Sequence, residues 1–225
     1  VSGGHAVEGL IMFSLGFFMI WWSWNLFTWF ASAYDSDDPF YRVVVMAMMG
    51  GAMLVAADMP QLFAGQPPTL VFWGYVVLRM GLVVLWFRVG RSQTAPAGLA
   101  RRHILGQILL QFMWAGIVFG LNPANPTYLL FLAAGVVMEL LVLWLIERRG
   151  GKKWHRHHII ERFGLLNIIV LGEILLSSTI ALRQAISDHI DLTTMAISIS
   201  GMVIAFSLWW LYFAEEEHMT SSQRS

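Results

Sequence analysis

The chain has 225 residues, 57% of them hydrophobic and 12% charged, and its 14 basic residues balance its 14 acidic ones. Soluble domains carry about a quarter charged residues, so the composition predicts a protein that crosses a membrane several times. Zero net charge argues against a nucleic-acid partner, and the absence of cysteine excludes disulfides, thiolate metal sites and a cysteine nucleophile. No basic segment precedes the first apolar run, so we expect no signal peptide, and a natural start upstream of Val1 is compatible with the sequence.

Seven apolar stretches are long enough to cross about 30 Å of hydrocarbon. Proline-containing segments such as Met59-Pro60 and Asn122-Pro123 separate most of them, because proline is poorly accommodated inside a helix. We therefore predict an all-α transmembrane bundle, formed as a single domain over residues 1–225. The predicted spans lie near residues 7–33, 41–59, 69–89, 103–121, 127–147, 158–182 and 192–213.

Basic residues concentrate in the loops on one side of this bundle. The opposite loops carry almost none, with Arg183 as the exception. The positive-inside rule places the basic side in the cytoplasm, which predicts an inner-membrane protein with a cytosolic C-terminus. The basic residues are Arg42, Arg88, Arg91, Arg101, Arg102, Arg148, Arg149, Lys152, Lys153 and Arg156.

Three ionisable residues stand out deep inside the predicted spans: Arg79, Glu139 and Glu173. Counting ~1.5 Å per residue places them within about two helical turns of one another in depth. Such groups are costly in a bilayer and mark paired or functional sites. Arg79 can pair with either acid, so the predicted intramembrane site is either a structural ion pair or a proton or ion relay.

Other residues inside the spans predict contacts between helices. Gln107, Gln111 and Asn167 carry amides at nearby depths, and interhelical amides commonly hold bundles together. Gly116 and Gly120 form a G-x-x-x-G pattern, which predicts a close-packing face on the fourth span.

The first span carries a polar stripe. Asn25, Thr28, Ser32 and Asp35 recur at spacings of three, four and three, which places them on one face of a helix. Such a stripe makes hydrogen bonds between helices or lines a hydrated cavity, and the sequence leaves both possibilities open.

A histidine cluster stands at the start of the sixth span. His158 and Glu161 are neighbours on a helix, and His155 is close to them in sequence. Three interpretations remain: a basic anchor, a vestibule that handles protons or anions, or a divalent-metal site built from His155, His158 and Glu161. The predicted cytosolic rim comprises Asp35, Asp38, His158, Glu161 and Arg162.

Three segments resemble the bacterial low temperature requirement A family: WWSWNLFTWFASAYDSDD (21–38), WHRHHIIERFGLLNIIVLGE (154–173) and LWWLYF (208–213). Family members usually begin with a helix carrying Glu-Leu-Phe-Phe-Asp-Leu and continue beyond the last segment. The chain is therefore expected to represent the central portion of the family. The resemblance implies a multi-pass inner-membrane protein linked by name to growth in the cold, and no settled activity. Its family-like residues are Trp22, Trp24, Trp29, Asp35, Asp38, His155, His158, Glu161, Arg162, Gly172 and Glu173.

The sequence favours a transporter or channel in the lipid bilayer that acts on a small ion or solute. Two alternatives remain: a membrane-embedded metal- or cofactor-binding protein or enzyme that uses the His/Glu cluster, and a structural membrane protein. An enzyme is the less favoured of these classes. The sequence identifies no substrate, cofactor or oligomeric state.

Overall fold

The computed structural model describes residues 3–64, 66, 68–122, 125, 127–148, 156–187 and 192–222, with side chains described for those in 9–148, 158–186 and 192–212. These residues form helices and turns, without a strand among them. The helices are α1 (Gly3–Tyr34), α2 (Pro39–Ala57), α3 (Met59–Phe63), α4 (Thr69–Arg91), α5 (Ala97–Gly120), α6 (Tyr128–Glu147), α7 (Arg156–Ser187) and α8 (Leu192–Ser222).

When α2 and α3 are counted together as Pro39–Phe63, seven helical segments are long and apolar enough to cross a membrane. This confirms the predicted all-α membrane architecture. Several bounds differ, since α7 and α8 continue beyond their predicted spans to Ser187 and Ser222, and two further differences have a physical reason. α5 begins at Ala97, six residues before the predicted span, because its charged first turns continue the helix beyond the apolar run. The second span is divided, since α2 ends at Ala57 and the short α3 follows after one residue.

Asp38 and Pro39 determine where α2 begins. Asp38 has extended backbone angles, and its carboxylate accepts a hydrogen bond from the amide of Tyr41 at 3.0 Å. Pro39 occupies the first helical position, where the missing N–H costs no hydrogen bond. This pair turns the chain sharply from α1 into α2.

Asp58 marks the break between α2 and α3 and also caps another helix. Its Oδ2 accepts hydrogen bonds from the amides of Leu70 at 2.9 Å and Val71 at 3.1 Å, at the start of α4. Pro68, which precedes α4, offers no side-chain cap of its own. A carboxylate that is only 5% exposed thus satisfies two of the amides that a helix start leaves unpaired.

The chain divides into two compact units, and the first is Val1–His155. In it α2 packs on α4, α4 on α5 and α5 on α6, while α1 contacts α3 and α4. Its largest apolar cluster joins α1, α2, α4, α5 and α6 around Phe30, Leu85 and Trp86.

Glycines allow α2 and α4 to approach closely. A Cβ added at Gly51 would lie 2.8 Å from the carbonyl oxygen of Gly74, and one at Gly74 would lie 2.6 Å from that of Gly51. No described atom of the first unit lies within 4 Å of a Cβ at Gly116 or Gly120, so the predicted close-packing face has no partner helix in this unit and stays a prediction. The pattern identified small residues, and spacing alone does not show which helix face meets a neighbour.

The second unit, Arg156–Ser225, consists of α7 packed against α8. Gly164 near the start of α7 lies against Tyr212 late in α8, and Gly201 lies against Ser178, so the two helices run antiparallel. The expected single transmembrane domain stays a prediction.

Candidate functional site: a buried ion pair between two cavities

Arg79 of α4 and Glu139 of α6 form an ion pair in the middle of the first unit. Nη2 of the arginine lies 2.5 Å from Oε1 and 2.6 Å from Oε2 of the glutamate. The two side chains are 2% and 1% exposed. Both charges are therefore removed from solvent, and each depends on the other because an unpaired buried charge is strongly unfavourable.

Two indoles complete the surroundings of the Glu139 carboxylate. Trp22 of α1 donates its Nε1–H to Oε1 at 3.1 Å, and Trp114 of α5 donates to Oε2 at 2.9 Å. Gln107 of α5 accepts a hydrogen bond from Nη1 of Arg79 at 2.9 Å. We refer to Trp22, Arg79, Gln107, Trp114 and Glu139 as the hub.

The hub joins four helices, since its members come from α1, α4, α5 and α6. The ring of Tyr75 adds a cation–π contact, with its centroid 5.5 Å from Cζ of Arg79. Nε of Arg79 has no hydrogen-bond partner among the described residues. The charges cancel, and most of their hydrogen-bonding capacity is used within the protein.

A cavity of about 470 Å³ lies on the side of the hub away from the basic loops. It reaches from Gly9 and Gln66, near the helix ends of that side, to Trp114 and Glu139. Its wall is mostly apolar and aromatic, and Glu139 is the one charged residue that lines it within the described chain. We call it the first cavity.

A second cavity of about 930 Å³ lies on the basic side of the hub. Glu147 and Arg148, at the end of α6, line its outer part, and Trp22 and Gln107 of the hub line its inner part. Among the residues that the structure describes, none lines both cavities. The hub therefore stands between two spaces that approach it from opposite ends of the bundle.

The predicted polar stripe of α1 lies inside the first unit, because Asn25, Thr28 and Ser32 are all buried. Asn25 lines the second cavity. Oδ1 of Asn25 and Oγ1 of Thr28 have no hydrogen-bond partner among the described residues. Polar atoms buried in this way are usually satisfied by water, so the stripe fits a hydrated interior.

The predicted rim residues are distributed over both units. In the first unit Asp38 meets Arg88 of α4, with Oδ1 2.9 Å from Nη1 and Oδ2 2.5 Å from Nη2. In the second unit Nδ1 of His158 lies 4.0 Å from Oε2 of Glu161, and both side chains are exposed. Asp35 follows the end of α1, and Arg162 lies on α7 beside Glu161.

The pairing of Asp38 with Arg88 gives a testable pH dependence. Hydrogen bonds from the Arg88 guanidinium, and then from the Tyr41 amide, hold the pKa of Asp38 well below its usual range. The stabilisation is therefore complete above the unfolded-state value of about 3.9 and is lost as pH falls below it. The melting temperature of the parent should exceed that of Asp38→Asn by a constant margin above about pH 5, and the margin should shrink below about pH 4. Asparagine retains the cap, so a margin independent of pH down to pH 2 would contradict this assignment.

Two predicted assignments stay open. Glu173 lies on α7 of the second unit and is exposed there, so its place in the intramembrane site stays a prediction. The metal site requires His155, which lies outside the described residues. The described residues contain no group of three side chains suited to holding a metal ion.

Sequence analysis missed a buried histidine on α5. His103 is 4% exposed and lines the second cavity. Its Nε2 lies 2.9 Å from Oε1 of Glu147, and its ring stacks on Trp86 with centroids 4.0 Å apart. The spacing of His103, Gln107 and Gln111 at intervals of four was the available signal, because it places three polar residues on one helix face.

The fold and the site together define a multi-pass helical membrane protein with an ion pair buried in its interior. The chain belongs to the bacterial low temperature requirement A family, whose model matches residues 1–225. No curated protein and no solved structure matches the chain.

Proposed function

We propose that the protein is a transporter or channel for a small ion or solute, and that the hub closes its passage. The observation that carries this proposal is the pair of cavities that approach a buried ion pair from opposite sides without sharing a lining residue. A purely structural ion pair requires neither cavity. Ionisable residues at membrane depth are also typical of ion and proton pathways.

The composition of the hub suggests how the passage opens. Glu139 is neutralised by Arg79, so the closed state presents no net charge to a solute. Trp22 and Gln107 line the second cavity, whereas Trp114 and Glu139 line the first. A change in the charge of Glu139 would weaken its bonds to Arg79 and to both indoles together, which would connect the two cavities.

Glu173 and the rim residues enter this proposal as further members of the pathway. Their support is the cost of placing a carboxylate deep in a span and the presence of a histidine at the start of the same helix. We also propose that the protein lies in the bacterial inner membrane with its basic loops and C-terminus in the cytosol. The support for this orientation is the distribution of arginine and lysine between the two sets of loops.

The proposal is tested by flux in proteoliposomes made with purified parent protein, Glu139→Gln or Glu173→Gln, at equal amounts of folded protein. Gradients of protons, monovalent cations and small anions are applied in turn. We expect flux of one of these ions in the parent and at least a tenfold higher flux in Glu139→Gln, because glutamine cannot carry the negative charge that holds Arg79 and the hub then no longer closes the passage.

Asp37→Asn serves as the matched control, since Asp37 is an 85% exposed carboxylate outside the hub. Its flux should equal that of the parent. Equal flux in the parent and Glu139→Gln would refute the role of the hub, and equal flux in Glu173→Gln would remove Glu173 from the pathway.

A further inference from the structure

His103 combines burial with access to a cavity. It is 4% exposed, and its ring is held between Trp86 on one face and the Glu147 carboxylate at its edge. The two rings are nearly parallel, at 5°, and Glu147 is partly exposed where it lines the second cavity. A histidine in this position can exchange a proton with cavity water without being open to bulk solvent.

The surroundings of His103 suit its charged form. An imidazolium would be stabilised by the Glu147 carboxylate and by the π face of Trp86. The neutral ring keeps its stacking on Trp86 and its place beside the Glu147 carboxylate. Both protonation states therefore fit the same pocket, which is what reversible proton binding requires.

Several charged and titratable groups of the first unit face this pocket. Glu147 and Arg148 of α6 line the same cavity, and Tyr34 of α1 packs on Trp86 with ring centroids 5.4 Å apart. On the buried face of α4 the charged residue is Arg79, which donates a hydrogen bond to Gln107, one turn from His103 on α5. Arg102 precedes His103 on α5 but is exposed.

One face of α5 connects His103 to the hub and continues beyond it. Gln107 lies one turn further along, about 6 Å by helical rise, and binds Arg79. Gln111 follows at the next turn and lines the first cavity. Neither polar atom of the Gln111 side chain has a hydrogen-bond partner among the described residues. Water is the usual partner of such an amide, so this face fits a hydrated path between the cavities.

We propose that His103 is the proton-binding residue of this transporter and that the proton is its transported or coupling ion. The neutral imidazole takes one proton from hydronium in the second cavity: an O–H bond of the hydronium breaks and leaves water, one N–H bond forms, and the ring becomes an imidazolium facing Glu147. The same N–H bond breaks when the ring returns the proton to water. The role of this proton in transport rests on the proposed function, whereas the proton-binding site itself rests on the geometry of His103.

Protonation of His103 also acts on the hub through charge. An imidazolium and the Arg79 guanidinium repel each other across the single residue Gln107. Proton uptake thus weakens the closed arrangement from the side of the second cavity. The path for the proton then follows the polar face of α5 past Gln107 and Gln111.

Trp86 provides a readout that is independent of transport. A protonated imidazole stacked on an indole quenches its fluorescence, so the emission of the parent should fall in one reversible step on acidification as His103 binds a proton. The chain contains 11 tryptophans, so the signal is taken as the difference between the parent and Trp86→Phe. We expect His103→Gln to abolish this step.

Glu147→Gln keeps the test decisive if His103→Gln does not fold. Removing the carboxylate takes away the charge that faces the imidazolium, so the pH at which the fluorescence step occurs should differ between Glu147→Gln and the parent. A step that persists unchanged in either variant would overturn the assignment of His103. Proton flux in proteoliposomes is measured on the same samples, with at least a tenfold loss expected in His103→Gln.

The two proposals fail in different ways. A fluorescence step that depends on His103, with no flux of any ion in the parent, would retain the proton site and refute transport. Flux that depends on Glu139, with no step that depends on His103, would retain the transporter and refute the proton site.

Discussion

Replacing Arg79 with methionine is expected to lower the free energy of unfolding by about 3–5 kcal/mol, the range found when one partner of a buried ion pair is removed. The variant leaves the 1% exposed carboxylate of Glu139 with only its two indole donors. Thermal or denaturant unfolding in detergent, followed by the loss of folded protein, measures the change.

A double variant distinguishes the cost of leaving a carboxylate unpaired from the cost of losing the packing of the arginine side chain. Arg79→Met combined with Glu139→Leu removes both charges and keeps similar volumes, so it should be more stable than Arg79→Met alone. Arg42→Met is the control, because Arg42 forms an exposed pair with Asp37, and losing such a pair should change the stability very little. A double variant no more stable than Arg79→Met would show that the loss does not come from an unpaired carboxylate.

Asp58→Ala is expected to destabilise the protein by about 2–3 kcal/mol, since it removes a buried charged acceptor and leaves two amides at the start of α4 unpaired. Leu70 and Val71 both bond the same oxygen, Oδ2. The carbonyl oxygen of asparagine can occupy that position, so Asp58→Asn should retain part of the stability. The same unfolding measurement compares the variants.

Asp37→Ala is the control for the cap, because Asp37 is exposed and caps no helix start. If Asp58→Ala lowers the free energy of unfolding no more than Asp37→Ala does, the Asp58 carboxylate does not stabilise the start of α4. The expected order of stability is parent, then Asp58→Asn, then Asp58→Ala.

Hydropathy was sufficient to predict the helical class and the number of spans, because a run of about 20 apolar residues satisfies its own backbone only as a helix. Helix ends were less predictable. The first turns of α5 contain Arg101 and Arg102, which are exposed, so the helix continues where the apolar signal stops. The break at Asp58 depends on α4, which lies further along the chain and supplies the amides.

The two charged residues of the candidate site were predicted from the sequence, but the side chains that form hydrogen bonds with them were not. Counting residues gave the depth of Arg79 and Glu139, whereas the pairing also depends on how each helix is rotated about its axis. Trp22 and Trp114 were not predicted as ligands of the carboxylate, since an indole contributes to an apolar pattern although it carries a donor. His103 was missed because it stands beside two arginines and is easily taken as part of a basic loop.

The close approach of α2 and α4 has a consequence for movement. At Gly51 and Gly74 the two backbones lie so close that a side chain at either position would collide with the carbonyl oxygen of the other helix. Two helices packed this closely are expected to move as one body. In the proposed transporter, we therefore expect the motion that joins the two cavities to occur in the helices that carry the rest of the hub, α1, α5 and α6.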